Sequence, residues 1–208
     1  MRNYPSAVLA AIDQFAAQEE FLINLGEDKA RIMADLVSKE QPKVFVEIGG
    51  YMGYSAILIA DAMRGAHPDA NAGELRLWSL ELDPLYAAIA MNLVDLAGLR
   101  DIVRVVTGAA GESLARLKDE GKLVGRIDML LLDHVEDLYI QEFETCEKLG
   151  LLAEGSVVVA DNVVRPGAPE YREMVRRHPG LESYGIRGLI IPGEFEVCIH
   201  ACSFTAWA

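Results

Sequence analysis

The chain has 208 residues, of which 51% are hydrophobic, and a formal net charge of −13 from 32 acidic and 19 basic residues. This length and hydrophobic content are enough for one domain with a full core, and they indicate a globular α/β protein. The excess of acidic residues argues against nucleic acid or an anionic membrane as the main partner, because phosphate binding needs a basic surface.

The cysteines and the start of the chain bear on its compartment. Residues 1–5 show no apolar signal-peptide core, and no run of 18 apolar residues occurs in the sequence. Cys146, Cys198 and Cys202 are odd in number and form no CxxC motif. Reduced thiols are the simple interpretation, so we expect a cytoplasmic protein.

Segments with helical and strand-like periodicity alternate along the chain. The predicted helices are 7–18, 28–39, 54–63, 84–96, 112–118, 140–149 and 169–177. The predicted strands are 43–48, 75–80, 102–107, 127–132 and 156–160, followed by a closing hairpin of about 181–191 and 194–204 around Pro192-Gly193. This order predicts a doubly wound, mostly parallel sheet with right-handed crossovers, helices on both faces and an antiparallel C-terminal hairpin. No linker or repeat interrupts the order, so we predict a single domain over 1–208.

Three oxygen-bearing side chains directly follow two of the apolar strands. Asp133 follows residues 127–132, and Asp161 and Asn162 follow residues 156–160. The carboxyl ends of parallel strands form the edge of the sheet at which α/β proteins bind ligands. Two acids and an amide offer only hard oxygens, which suit Mg²⁺ better than zinc or copper. The alternative is that Asp161-Asn162 caps a helix or a turn.

A glycine-rich turn follows the first strand. Its spacing is Gly49-x-x-x-Gly53 and not the G-x-G-x-x-G of dinucleotide-binding turns. The second strand ends before Glu81, an acid that could accept both hydroxyls of a ribose. Together with the acidic Glu47, this pattern favours a nucleoside cofactor without phosphates. The alternative is that the glycines only make a tight turn and that Glu81 caps the next helix.

Five stretches in this order resemble the class I S-adenosylmethionine-dependent methyltransferases and, within them, the catechol O-methyltransferase family. The stretches are residues 12–26, 47–55, 81–84, 131–134 and 160–169, and the resemblance extends from about residue 11 to residue 200. It implies a Rossmann-like methyltransferase fold in which helices within residues 1–42 cover the cofactor and substrate site.

The resemblance also implies the residues of the site. S-adenosylmethionine would be lined by Ile23, Leu25, Glu47, Gly49, Tyr51, Ser55, Glu81, Leu82, Ala110, Asp133 and His134. Asp133, Asp161 and Asn162 would hold Mg²⁺. Glu196 lies where the family has a glutamate that contacts a substrate hydroxyl.

The chain departs from the family pattern at three places. Glu136 stands where the family has a lysine that serves as general base, and a carboxylate is a weak proton acceptor for a phenol. In the aromatic substrate slot, Phe21 and Val135 stand in place of tryptophans, while Pro166 is retained. Ala110-Gly111 replaces a Ser-Gln pair that contacts adenine, which predicts a lower affinity for the cofactor.

The activity that the resemblance implies is Mg²⁺-dependent methyl transfer to a hydroxyl of a catechol or similar vicinal diol. Glu136 and Glu196 are the predicted catalytic residues, the substrate is a small aromatic diol, and a monomer is favoured. Two alternatives stay open: a protein that binds S-adenosylmethionine with weak or no turnover, and an O-methyltransferase for a non-catechol substrate. A nucleotide-dependent oxidoreductase is disfavoured by the glycine spacing.

Overall fold

The computed structural model describes residues 4–191 and 194–205, without the side chains of residues 190–200. Its helices are α1 (Pro5–Gln18), α2 (Gly26–Glu40), α3 (Tyr54–Ala66), α4 (Pro84–Ala97), α5 (Ala110–Asp119), α6 (Tyr139–Lys148) and α7 (Pro169–Arg177). Its strands are β1 (Val44–Ile48), β2 (Arg76–Glu81), β3 (Val103–Thr107), β4 (Met129–Leu132), β5 (Val157–Ala160), β6 (Leu181–Ile191) and β7 (Glu194–Phe204). None of the helices in these ranges combines the length and the apolar character that a membrane crossing needs.

The strands form one seven-stranded sheet in the order β3-β2-β1-β4-β5-β7-β6. The pairs β2–β3, β1–β4 and β4–β5 are parallel, whereas β7 runs antiparallel to both β5 and β6. The predicted α/β class, the mostly parallel sheet and the antiparallel strands at the C-terminal end are confirmed. The predicted turn at Pro192-Gly193 lies outside the described residues.

The chain divides into two compact units. The first unit consists of the residues up to Lys43 together with Gly50–Thr107, and the second of Val44–Gly49 together with the residues from Gly108 onward. The single domain expected from the sequence stays a prediction.

In the first unit, β2 and β3 pair in parallel from Leu77 with Val103 to Glu81 with Thr107. The core of this unit is supplied by helical side chains that are fully buried, namely Met33, Ile57, Ile59 and Met63. Ile59 and Met63 are four residues apart in α3 and share one face, so burying that face fixes the orientation of the helix on its neighbours.

In the second unit, the carboxyl ends of three parallel strands are in register. Ile48 of β1 pairs with Leu132 of β4, and Leu132 pairs with Ala160 of β5. Every residue of β4 and β5 is buried, as expected for strands covered on both faces. The residue after each strand therefore emerges at the same edge of the sheet.

Local signals set the ends of the helices. Asp83 caps α4, because its side chain accepts a hydrogen bond from the Leu85 amide at 2.7 Å, and Pro84 occupies the first helical turn. Gly98 ends α4 with φ of 73°, which confirms the predicted stop. Helices α1, α2 and α5 each begin two residues before their predicted starts, because their first turns lack apolar periodicity in the sequence.

Candidate functional site

Gly49 brings the end of β1 against the turn that follows β4. Its φ is 100°, and a Cβ at this position would lie 2.0 Å from the carbonyl oxygen of Asp133. No side chain fits there, so position 49 requires glycine both for its conformation and for this close approach. The glycine that the sequence marked as part of a ligand turn also lets two backbone segments of the second unit touch.

Glu81 is fixed by the backbone of the first unit. Its carboxylate accepts the Tyr51 amide at 2.7 Å on one oxygen and the Asp83 amide at 2.8 Å on the other. A carboxylate has about four acceptor positions, so both oxygens keep capacity for two neighbouring hydroxyls. Asp83 caps α4, so the alternative that Glu81 is the cap is wrong.

The turn before α3 is held in its unusual shape by several contacts. Tyr51 has φ of 43°, and its ring packs on that of Tyr86 with centroids 4.6 Å apart. A Cβ on Gly53 would lie 3.0 Å from the Cβ of Ala90, so this glycine permits close packing on α4. The main chain of the predicted cofactor turn is therefore set by packing in the first unit.

Tyr54 is a contact that the sequence did not reveal. Its hydroxyl donates to the Asp13 carboxylate of α1 at 3.2 Å, although the two residues are 41 positions apart. Burial and the neighbouring Asp13 carboxylate raise the pKa of Tyr54 well above its ordinary value. Burial likewise raises the pKa of Asp13. The pair ties α1 to the first residue of the helix that follows the glycine turn.

The remaining predicted residues of the first unit differ in exposure. Phe21 is 82% exposed, Ile23 71% and Leu82 72%, whereas Leu25 and Ser55 are buried. Several exposed large apolar side chains within one predicted site indicate a surface that binds a ligand. Phe21, Ile23 and Leu82 have apolar surface available for a ligand.

Asp133 and Asp161 emerge side by side in the second unit. The Asp133 amide donates to Ile48 at 2.9 Å, and the Asp161 amide donates to Leu132 at 3.0 Å. Each hydrogen bond extends the strand pairing by one residue, so the two acids occupy adjacent strand ends. The sequence predicted that these two acids follow neighbouring strand ends, and the register of β4 and β5 places them there.

Asn162 turns the chain away from β5. Its φ of 53° is left-handed, and its amide donates to the Asp161 carboxylate at 2.8 Å. Asparagine tolerates this conformation better than most residues do. Asp161 therefore makes a local hydrogen bond, as the alternative of a turn-capping dipeptide predicts. It also lies at the edge of the sheet where a ligand is predicted to bind.

Tyr139 lies beneath these acids, and sequence reasoning missed it. The side chain is fully buried, and its hydroxyl donates to the Asp161 carbonyl oxygen at 3.1 Å. Burial raises the pKa of Tyr139 far above its ordinary value, and the negative charges of Asp133, Asp161 and Glu136 raise it further. Three carboxylates therefore lie close enough to Tyr139 to raise its pKa. Helical periodicity marks it as a core residue, and nothing local indicates its hydrogen-bond partner.

His134 is a half-buried imidazole whose two ring nitrogens are buried. Burial lowers its pKa to about 4. Its ring packs on Tyr139 with centroids 5.2 Å apart, and neither ring nitrogen has a hydrogen-bond partner among the described residues. A neutral imidazole has one donor and one acceptor, so two unused polar atoms at this edge fit contact with a polar ligand.

The start of α5 explains how the chain accommodates Ala110-Gly111. The Gly111 amide donates to the buried Glu142 carboxylate, which serves the amino end of α5 from α6. Burial raises the pKa of Glu142. A Cβ at position 111 would lie 3.4 Å from Glu142 Oε2, so Glu142 packs directly against this glycine. Glu142 was not predicted, and only its place in the fold identifies it.

The remaining predicted residues of the second unit are distributed around the strand ends. Glu47 is fully buried on β1, Val135 is 60% exposed, and Glu136 starts a short 3-10 turn before α6. Pro166 is exposed beyond Asn162. The side chain of Glu196 lies outside the described residues, so its predicted role in substrate binding stays a prediction.

The donor set at this edge fits a hard cation. Asp133, Asp161 and Asn162 offer two carboxylates and an amide oxygen, as Mg²⁺ prefers. The part of the chain that the structure describes holds no group of three or more His, Cys, Asp or Glu residues arranged for a metal. The predicted set has only two residues of these types, so its assignment to Mg²⁺ stays a prediction.

Comparison with known proteins agrees with this geometry. A family model described as "O-methyltransferase" matches residues 2–177. The chain belongs to the O-methyltransferase family. Catechol O-methyltransferase of Bos taurus is 40% identical over 178 residues, covering 86% of this chain and 62% of the bovine protein. A probable O-methyltransferase of Mycobacterium tuberculosis is 37% identical over 177 residues, covering 84% of this chain and 72% of that protein.

The match does not extend over the whole of the curated relatives. The chain spans 62% of the bovine catechol O-methyltransferase, 64% of the mouse enzyme and 66% of a zebrafish one. Among solved structures, an O-methyltransferase of Bacillus cereus in complex with SAH has a TM-score of 0.79 at 22% identity, covering 95% of this chain and 91% of that one. This similarity shows that our chain and the Bacillus cereus protein share one fold.

Proposed function

We propose that this chain transfers a methyl group from S-adenosylmethionine to a hydroxyl of a catechol or a similar vicinal diol. The observation that carries the proposal is the register of β4 with β5, in which Asp133 and Asp161 follow paired strand ends. The names of relatives that are catechol O-methyltransferases support the choice of substrate. Their cofactor and metal are proposals for this chain.

In the first unit, Glu81 is proposed to bind the two ribose hydroxyls of the cofactor. Its two oxygens are already oriented by the Tyr51 and Asp83 amides, so binding requires little reordering of the carboxylate. Ile23, Leu25, Tyr51, Ser55 and Leu82 are the other proposed contacts of this unit. S-adenosylmethionine would supply a methyl group on a positively charged sulfur, which is activated toward attack by oxygen.

In the second unit, the proposed cofactor contacts are Glu47, Gly49, Ala110, Asp133 and His134. Because burial holds the pKa of His134 at about 4, the imidazole is neutral near pH 7 and adds no positive charge beside a sulfonium. We assign it no proton transfer. Its role would be to hydrogen-bond or pack against the ligand.

Asp133, Asp161 and Asn162 are the proposed Mg²⁺ ligands. Bound there, Mg²⁺ would orient two neighbouring hydroxyls and lower the pKa of the reacting one. In the reaction an oxygen–methyl bond forms as the sulfur–methyl bond breaks, and the hydroxyl proton must leave. Glu136 is the acid nearest in sequence that could take it, but its negative charge opposes a neighbouring oxyanion. Glu196 is proposed to contact the second hydroxyl, and Phe21, Val135 and Pro166 to line the substrate slot.

The experiment that tests the proposal measures methyl transfer from S-adenosylmethionine to a panel of catechols, with Mg²⁺ and with excess chelator. Transfer that requires the metal supports the proposal. Calorimetry with S-adenosylmethionine accompanies the assay. Binding without transfer to any catechol would favour one of the two alternatives, a binder or an enzyme for a non-catechol acceptor. Full activity in chelator would contradict the metal assignment. The cytoplasmic location and the monomeric state stay predictions.

A further inference from the structure

Tyr139 contacts both turns that carry the proposed metal ligands. It is the first residue of α6, after the 3-10 turn Glu136–Leu138, and its side chain is fully buried. Its hydroxyl donates to the Asp161 carbonyl oxygen at 3.1 Å. Its ring packs against His134, with centroids 5.2 Å apart. One rigid side chain therefore contacts the segment after β4 and the segment after β5.

The hydrogen bond to Asp161 acts where the strand pairing ends. The Asp161 amide still pairs with Leu132, but the next residue, Asn162, has left the strand with a φ of 53°. Tyr139 engages the carbonyl group directly before this turn.

The contact with His134 constrains the other segment. His134 directly follows Asp133, so a ring that packs on the imidazole limits the positions open to the Asp133 backbone. Tyr171 packs edge-on against Tyr139 on another side, with centroids 5.7 Å apart and an interplanar angle of 82°. The Tyr139 ring is thereby fixed on two sides, and its hydroxyl reaches Asp161 from a defined position.

We propose that Tyr139 is a positioning residue that sets the spacing of Asp133 and Asp161 for a divalent cation. It does not touch the reacting atoms. This inference rests on the proposed function, because it concerns the metal site proposed there. Octahedral coordination of Mg²⁺ tolerates little error in ligand position, so a contact that fixes both turns raises metal affinity.

A purely structural role is the competing explanation, since a buried tyrosine hydroxyl needs a hydrogen-bond partner in any fold. Tyr171 provides the matched control. It is buried in the same aromatic cluster, and its hydroxyl lies near the Cys202 thiol instead of Asp161. Replacing either tyrosine by phenylalanine removes one buried hydroxyl and leaves the ring.

The test titrates Mn²⁺, as a stand-in for Mg²⁺, into wild type, Tyr139→Phe and Tyr171→Phe, without substrate and without S-adenosylmethionine. Free Mn²⁺ is measured by electron paramagnetic resonance. We expect Tyr139→Phe to weaken Mn²⁺ binding about threefold to tenfold, the equivalent of one neutral hydrogen bond. Tyr171→Phe should bind Mn²⁺ as wild type does, because the Tyr171 hydroxyl makes no hydrogen bond to either ligand-bearing turn among the described residues.

Kinetics give a second readout. In Tyr139→Phe the Mg²⁺ concentration for half-maximal rate should rise by the same factor, while kcat at saturating Mg²⁺ stays near the wild-type value. Unchanged Mn²⁺ affinity in Tyr139→Phe, or equal losses in both variants, would overturn the inference and leave the proposed function intact. Failure of the wild type itself to bind Mn²⁺ would overturn the metal site and the inference together.

Discussion

Two regions of the molecule use acidic residues at strand ends, and they use them differently. At the end of β2, Glu81 accepts two backbone amides, so its charge is satisfied locally and its position is fixed. At the ends of β4 and β5, the charges of Asp133 and Asp161 act together on Tyr139. The first arrangement suits neutral hydroxyl groups, and the second suits a cation. An acidic residue at a strand end therefore predicts where a ligand binds, but it does not predict which ligand binds there.

The largest expected effect concerns the region of Asp133 and Asp161. Asp161→Ala removes one proposed metal ligand, and we expect turnover to fall to the level seen with excess chelator. Binding of S-adenosylmethionine, measured by calorimetry, should be largely retained. Asp137→Ala is the matched control, because it removes an exposed acid from the 3-10 turn nearby. Substantial turnover in Asp161→Ala, or the same loss in the control, would argue against a metal at this edge.

The next effect concerns Glu136, whose charge also acts on Tyr139. General-base catalysis is worth about 10²–10⁴-fold, so the wild type should be slow on unactivated catechols and faster at higher pH. Electron-withdrawing substituents, which make the hydroxyl more acidic, should also help. Glu136→Lys should raise the rate most near neutral pH, because a cation there favours the catecholate.

The pH–rate profile of Glu136→Lys decides between two interpretations of this position. A gain that fades at high pH, where the hydroxyl ionises unaided, would place residue 136 beside the reacting oxygen. No gain at any pH, with cofactor and metal still bound, would mean that Glu136 is a surface acid and that another group takes the proton.

The third prediction uses the pH dependence of stability to test the burial of His134. Its pKa is about 4 in the folded chain, below the ordinary value of 6.5, so the folded state binds fewer protons than the unfolded state between these values. The stabilisation is complete above pH 6.5 and is lost as the pH falls toward 4. The loss is at most about 3 kcal/mol. Urea unfolding with chelator should show that His134→Leu lacks this part of the pH dependence.

A wild type and a His134→Leu variant with parallel stability curves from pH 7 to pH 4 would contradict the burial of an unpaired, neutral imidazole. A direct titration of the His134 ring by NMR provides the independent check.

The smallest expected effect concerns the region of Glu81. Glu81→Ala removes the acceptor for the ribose hydroxyls and for two backbone amides, and we expect it to weaken S-adenosylmethionine binding by about 1.5–3 kcal/mol. Asp83→Ala is the comparison in the same segment. It should lower stability by about 1 kcal/mol through loss of the α4 cap, with a smaller change in affinity. Unchanged cofactor affinity in Glu81→Ala would move the ribose site elsewhere.

Much of the fold could be predicted because its signals are local. Continuous apolar runs marked β4 and β5, and Gly98 marked the end of α4. The early starts of α1, α2 and α5 were missed, since their first residues show no apolar periodicity. Of the site, Asp133 and Asp161 were predictable because each follows a buried strand, and parallel strands end at a common edge.

The sequence by itself determined the order of helices and strands, the family, and the polar residues at the strand ends. Only the tertiary structure decided which groups satisfy one another. Tyr139 reaches the Asp161 carbonyl across 22 residues, and Glu142 serves the Gly111 amide from another helix. Periodicity reports which face of a segment is buried, but a hydrogen bond between distant residues depends on register and packing. These follow from the whole fold and leave no mark in the local pattern.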